Sequence, residues 1–369
     1  MSEVVSGSNT QEETHTLRER WRETAEASLK GAPLSTLNRE SEPGLLIEPL
    51  YWGSTAPPES RRGSDAGRAG GSTLCARIDR GDWRGAQKLA MEAVEGGAAG
   101  LVIAWGGAGE EGVRLPHAAA VDQLLTPLWL EGLPLYIEPG RAPLEKASIL
   151  MSALSSRSTR GAAPPALISL GIDPLGGLTR DGLWREPIGR LIRHSQELSE
   201  RWGAAPWLRL FEVDEGVAHE AGADEAQGLA FTLSVALEYL RQIEAAGGML
   251  DQIAPFTFHL RVDPRPFHAI AKLRAFRQLW ARVSGVAGLA EVRAALRVSL
   301  SARSVSAVDP WVNLLRGTVS SFAALTAGVE AYEVPRFDLH YGAGPLGRRL
   351  SRNTGLILAE EGQLGRVED

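Results

Sequence analysis

The sequence predicts an α/β protein: a (β/α)8 TIM barrel from about Thr73 to the C-terminus, preceded by an N-terminal helical and extended arm. Three observations predict it. Beyond Thr73, eight short apolar runs alternate with longer amphipathic ones. The short runs are apolar at consecutive positions, as expected of parallel strands covered by helices. The alternation stops at eight, the number that closes a barrel. A doubly wound open sheet gives no reason to stop there, and the Gly-rich first turn it usually carries is absent.

The elements follow in order. Residues 1–14 are polar and acidic and read as a tail. An amphipathic helix follows, with Trp21, Ala25 and Leu29 on one face and Gly31 just past its end. The run GLLIEPLYW reads as extended and apolar, and APPESRRGSDAGRAGG (56–71) as a flexible linker without hydrophobic periodicity. The predicted strands are 73–79, 100–105, 133–138, 166–171, 207–213, 254–260, 296–301 and 329–334. Trp83, Ala86, Ala90 and Ala93 share a face of the first intervening helix; Leu229, Leu233, Ala236 and Leu240 share one in the fifth. The other helices are expected to start near Pro116, Pro143, Pro187, Pro264, Asp309 and Pro345, several with proline where a first-turn N–H has no partner to lose. The expected organisation is a disordered tail (1–17), an arm and linker (18–72) and a barrel (73–369).

Composition narrows the function. The 369-residue chain is 44% apolar with a net charge of −6, and no basic stripe suits a nucleic acid. No apolar run approaches the roughly 20 residues of a membrane span. A single cysteine, Cys75, rules out an intrachain disulfide and fits a reducing cytoplasm. Lying inside the first strand, it reads as a small core residue.

Barrel chemistry belongs at the C-terminal ends of the strands. The candidates there are Asp79, Glu138, Asp173, Glu212, Asp214, Glu215, His259, Arg261, Arg303 and Arg336. They form no metal-ligand spacing, and no strand-end lysine is available for a Schiff base. The string 107–112 matches GxGxxG, but Glu110 and Glu111 would repel a pyrophosphate, so it reads as a loop. Asp338-Leu339-His340-Tyr341-Gly342 nearly reproduces a cobalamin-binding DxHxxG with its glycine one place early, and also reads as a loop. His219 is expected near the start of the fifth helix. His259 alternates with Phe258 and Leu260 and reads as a core histidine. For an unrelated barrel enzyme the rim candidates are Asp173, His259 and Arg303.

Several segments together resemble the methylmalonyl-CoA mutase family. AEASLKGAPLSTLNRESEPGLLIEPLYW is similar to the N-terminal arm of these enzymes. ISLGIDPLGGLTRDG (168–182) resembles the small, non-catalytic subunit of the heterodimeric bacterial enzyme. EAGADEAQGLAFTLSVALEYL, AKLRAFRQLWA, DPWVNLLRGT and GRRLSRNTGLILAEEGQLGRV resemble stretches shared by both subunits. The resemblance implies a β/α barrel with an N-terminal arm. In catalytic chains it also implies an acyl-CoA threaded through the barrel and adenosylcobalamin over its C-terminal face, for isomerisation of methylmalonyl-CoA to succinyl-CoA.

Three departures then stand out. Where catalytic chains carry Ser-Gly-Tyr-His, this sequence has Asp214, Glu215, Gly216 and Val217. Where they carry Gln-Thr-Ser-Gly, it has Ser299, Leu300, Ser301 and Ala302. Where their Asn and Glu face the adenosyl cofactor, it has Pro335 and Leu339. A valine can neither donate a proton nor hydrogen-bond a thioester. The expectation is a chain inactive alone, without catalytic, cofactor or metal residues. It would pair in a heterodimer with a catalytic large subunit, which holds the adenosylcobalamin. The alternative is a catalytic acyl-CoA mutase chain that uses a separate cobalamin-binding subunit.

Overall fold

The structure is a computed structural model that describes residues 8–366, apart from 43, 52–70, 108–109, 184–187, 203–204, 249, 251–255, 290–291 and 343. The chain divides into two compact units, Met1–Arg62 and Gly63–Asp369.

In the first unit a helix spans Ser8–Ser28. It begins inside the segment read as a disordered tail. Beyond Gly7 the sequence holds neither Pro nor Gly as far as Ser28, and its Glu, Gln and Arg residues lose little rotamer freedom in a helix. Strands Arg39–Glu42 and Leu45–Ile47 then pair antiparallel, with Arg39 opposite Ile47. The predicted extended run therefore opens as a hairpin strand, with Leu45 and Leu46 exposed. All but the last residue of the predicted linker lies outside the described residues.

The second unit is the barrel. Its strands are β1 (Thr73–Ile78), β2 (Gly100–Gly106), β3 (Leu135–Glu138), β4 (Ile168–Ile172), β5 (Leu208–Asp214), β6 (Thr257–Val262), β7 (Ala295–Leu300) and β8 (Ala331–Glu333). Each pairs parallel with the next, and β8 returns to β1 with Ala331 opposite Thr73, which closes the ring. All eight predicted strands are present, with ends displaced by a few residues.

Ten helices of the described residues accompany them: α1 (Trp83–Glu95), α2 (Ala118–Leu125), α3 (Pro143–Thr159), α4 (Pro174–Asp181), α5 (Ile188–Trp202), α6 (Gly216–Glu220), α7 (Glu225–Ala245), α8 (Pro266–Val286), α9 (Pro310–Thr326) and α10 (Pro345–Leu356). Proline opens α3, α4, α8, α9 and α10. Two differences from the predicted elements concern α4, an additional helix, and α6, where the expected place of His219 is corrected. The stretch 168–182 yields a strand and then a helix capped by Asp173, whose carboxylate accepts from the Gly176 amide. His219 does not start the long fifth helix. It lies in the one-turn α6, and a fresh capping box of Asp224 and Gln227 starts α7.

Between strands and helices lies an aromatic cluster. Phe258 meets Trp280 and Phe276 edge-on with ring centroids 4.7 and 4.8 Å apart, and Phe211 stacks on Tyr239 at 5.1 Å. The inside of the barrel is built differently. Cys75, Val102, Tyr136 and Ala331 form one apolar layer. Two residues further along their strands, on the same inward face, stand Arg77, Glu138 and Glu333. The barrel therefore changes from apolar to ionic within one layer.

Candidate functional site

The ionic layer centres on Arg297 of β7, which is 1% exposed. Its Nη2 lies 2.5 Å from Glu212 of β5, its Nη1 2.6 Å from Glu333 of β8, and both lie 3.1 Å from Glu138 of β3. Arg77 of β1 pairs with Glu138 and, at 3.4 Å, with Glu333. Two guanidinium groups and three carboxylates from five strands thus meet on the axis, with Arg297, Glu212 and Glu333 buried and the side chains of Arg77 and Glu138 39% and 25% exposed. Burial opposes charge on Glu138, but Arg77 and Arg297 outweigh it and hold the carboxyl well below its usual range. Glu212 goes the other way: burial, only partly offset by Arg297, pushes it up to about 7.

His259 of β6 borders this layer and is 3% exposed, as a core histidine should be. Arg297 donates to its Nδ1 at 2.7 Å, so that nitrogen is an acceptor and the proton sits on Nε2, which faces Ser299 Oγ at 2.9 Å. Burial, with Arg261 and Arg297 beside it, keeps the imidazole neutral far below its usual pKa.

The rim candidates do not come together as one set. Asp173 caps α4, accepts from Tyr239 Oη at 2.6 Å and accepts from the Asp214 amide at 3.1 Å. Burial raises its carboxyl to about 6 despite these donors. Asp214 Oδ1 in turn lies 3.5 Å from His259 Nδ1, so Asp173 and His259 belong to one chain of contacts. Arg303 belongs elsewhere: its Nη2 lies 3.0 Å from Nε2 of His219, which also meets Ser301 Oγ at 2.8 Å. Asp79 pairs with Arg336 at 2.9 Å, and Arg261 with Asp214 at 2.9 Å.

Glu215, His219 and Glu225 place three potential ligand atoms within 4.8 Å of one another. A cation already holds that place. Lys272 Nζ, from α8, lies 2.6 Å from Glu215 and 2.5 Å from Glu225, and donates to the Arg261 carbonyl at 2.8 Å. Lys146 of α3 does the same for the loop after β2, reaching Glu110 at 3.1 Å and the carbonyls of Trp105 and Pro139. Glu110 is therefore a loop anchor, and a short strand, Val113–Arg114, follows it rather than a helix. Sequence reasoning looked for lysines on strand ends and missed both, because they reach the rim from helices. It also missed Arg77, Arg297 and Glu333 as axis residues, although each interrupts an otherwise apolar strand.

Gly216 and Val217 open α6, and a Cβ on Gly216 would come within 2.5 Å of the Arg261 guanidinium. Ser299 is occupied by His259. Pro335 packs on Gly317, and Leu339 is exposed. Neither Pro335 nor Leu339 offers a side-chain donor or acceptor. No described helix is long and apolar enough to cross a membrane.

Residues 96–369 match the sequence profile of the methylmalonyl-CoA mutase family. The chain belongs to that family. Among curated mutase chains it is 32% identical to the methylmalonyl-CoA mutase small subunit of Streptomyces virginiae, over 90% of this chain and 54% of that one. It is 32% identical to a probable methylmalonyl-CoA mutase small subunit of Mycobacterium bovis, over 94% of this chain and 57% of that one. The methylmalonyl-CoA mutase of Escherichia coli is 35% identical, over only 41% of this chain and 22% of that one. The likeness to small-subunit mutase chains thus extends over most of the sequence, and the chain spans a little over half the length of those relatives.

Proposed function

We propose that this chain is a non-catalytic, small-subunit-like component of an adenosylcobalamin-dependent methylmalonyl-CoA mutase. The isomerisation of methylmalonyl-CoA to succinyl-CoA, and the cofactor, belong to a catalytic large subunit with which it forms a heterodimer. The observation that carries this reading is the ionic plug of Arg297, Arg77, Glu138, Glu212 and Glu333 on the barrel axis. A threaded thioester would have to displace a buried arginine from three carboxylates, which costs several kcal/mol. The valine and glycine at 217 and 216, and the proline and leucine at 335 and 339, support the same reading, because none can protonate or orient a reacting group. The matches to small-subunit chains support the subunit type.

The test is co-expression with a catalytic mutase chain, followed by isomerase assay and titration of each partner with methylmalonyl-CoA. The expected result is a co-purifying pair whose acyl-CoA binding resides in the partner alone. Failure to co-purify, with the catalytic chain fully active by itself, rejects the proposal. Turnover by this chain with an added cobalamin-binding subunit establishes the alternative of a split catalytic mutase.

A further inference from the structure

A cavity of about 190 Å³ lies between β1, the ends of β7 and β8 and helices α1 and α10, and it reaches the inward-facing Cys75, Arg77 and Glu333. Its floor is apolar: Leu74, Ile78, Leu89, Ala93 and Ala98 line it. For scale, a cavity of about 150 Å³ accommodates benzene.

Four arginines line the same space: Arg77, Arg336, Arg348 and Arg352. Three have carboxylate partners. Arg77 pairs with Glu138 and Glu333, Arg336 with Asp79, and Arg348 with Glu92 at 3.3 Å. The two carboxylates on the cavity wall, Glu92 and Glu333, are thereby held by Arg348 and by Arg77 and Arg297. Arg352 differs. Among the described residues it has no hydrogen-bond or ion-pair partner, and its Nε is fully buried without an acceptor. A buried donor left in this state is costly and calls for an acceptor.

The neighbouring backbone makes room for that guanidinium. Gly96 ends α1 with φ −85° and ψ 4°, a conformation any residue adopts. A Cβ there would stand 2.2 Å from both Cζ and Nε of Arg352. A side chain at 96 would thus displace the Arg352 guanidinium from its present place, although the backbone there would accept one.

We propose that this cavity is a binding site for a monocarboxylate with a compact apolar body about the size of a phenyl ring. The carboxylate takes the planar fork of Arg352, and the body lies on Leu74, Ile78 and Leu89. Charge counting selects a monoanion: one guanidinium is uncompensated, and a phosphate ester dianion would need a second. The site does not depend on the proposed subunit role, although it shares Arg77 and Glu333 with the axial plug.

The test uses the full chain, with sodium benzoate as probe and benzamide as its neutral isostere, followed by calorimetry and ligand-observed NMR. Saturable one-site binding of benzoate is expected, with benzamide weaker by about tenfold or more, the weight of a charge-assisted hydrogen bond. Arg352→Gln and Gly96→Ala are each expected to reduce benzoate affinity by a similar factor and to leave benzamide unchanged. No saturable binding, or equal affinity for the two probes, overturns the proposal. Arg352 also lies beside the C-terminal end of α1, where a cation is favoured by the helix dipole. If that were its whole role, Arg352→Gln would lower the melting temperature and leave benzoate affinity intact, which also overturns the proposal. Should that variant fail to fold, Leu89→Trp fills the cavity with Arg352 in place, and undiminished benzoate binding by it is equally fatal.

Discussion

Arg297 on β7 and Glu138 on β3 join opposite walls of the barrel, both Nη atoms of the arginine lying 3.1 Å from one carboxylate oxygen. In a ring of eight strands, β3 and β7 are four apart, so this contact crosses the axis. Glu212 and Glu333 approach the same guanidinium from β5 and β8. An apolar plug would have filled the same space; an ionic one fixes the walls in register as well, because each carboxylate is satisfied only where its strand places it.

Removing the arginine should therefore be far more damaging than its volume implies. Arg297→Met leaves Glu212 buried without a guanidinium partner and Glu333 with only its 3.4 Å contact to Arg77, and an uncompensated buried partner costs about 3–5 kcal/mol. Urea denaturation of the variant should show a loss of that size. A loss below about 1 kcal/mol would mean that water screens Arg297 and its carboxylates, and the account of a buried ionic centre would fail with it.

Lys272 should be linked to Glu215 in the same way. The ammonium and the Glu215 carboxylate are both fully buried, at 2.6 Å. Lys272→Met should destabilise by about 3–5 kcal/mol, and the added change Glu215→Gln should recover part of that loss. In a double-mutant cycle the coupling energy should exceed about 1 kcal/mol. Strict additivity would show that the pair does not interact in the folded state.

The strands were legible because parallel strands under helices must be apolar on both faces, a local pattern. The ends of helices with proline and an acidic cap, such as Asp309-Pro310, were legible for the same reason. The plug was not. Arg77 and Glu333 stand 256 positions apart and Glu138 and Arg297 159, and no local rule joins them. What the sequence did carry was each charge two places from an inward apolar residue, as in Cys75 and Arg77. The break between α6 and α7 was readable and was missed: Gly222 adopts φ 107°, and Asp224 and Gln227 have capping-box spacing. The rim candidates failed as a set because strand-end position says nothing of which neighbour each charge meets.

Acid should destabilise the fold through its buried histidines. Burial, then Lys272 and Arg303, lowers His219 from 6.5 to about 3, and His259 lies well below 6.5 for similar reasons. A depressed histidine pKa means that folding favours the neutral form. The stability this contributes is complete above pH 6.5 and is lost as pH falls below it, for His219 down to about pH 3. The slope is up to about 1.4 kcal/mol per pH unit for each histidine. Asp173 and Glu212 act oppositely: their raised values favour the protonated fold, so their contribution declines as pH rises toward about 6 and 7. The clean observable is the difference between wild type and His219→Gln, which keeps an acceptor near Ser301 and Arg303. That difference should shrink steadily from pH 6.5 to 4; a constant difference would show that His219 titrates normally.

Cys75 supplies a probe of the barrel without any mutation, since it is the chain's one cysteine and lies 4% exposed on the inward face of β1. Burial, reinforced by Glu333, pushes its thiol well above the usual range, so thiolate is scarce in the native state. The reagent DTNB should leave the native protein unlabelled and react with one thiol per chain in urea. The native labelling rate then reports opening of the barrel, because only opened molecules expose the sulfur. Arg297→Met should accelerate it by about the factor that corresponds to its loss of stability, roughly a hundredfold or more for 3–5 kcal/mol. Rapid stoichiometric labelling of the wild type would mean that the inner layer is open to solvent, and the plug above it could not then close the axis.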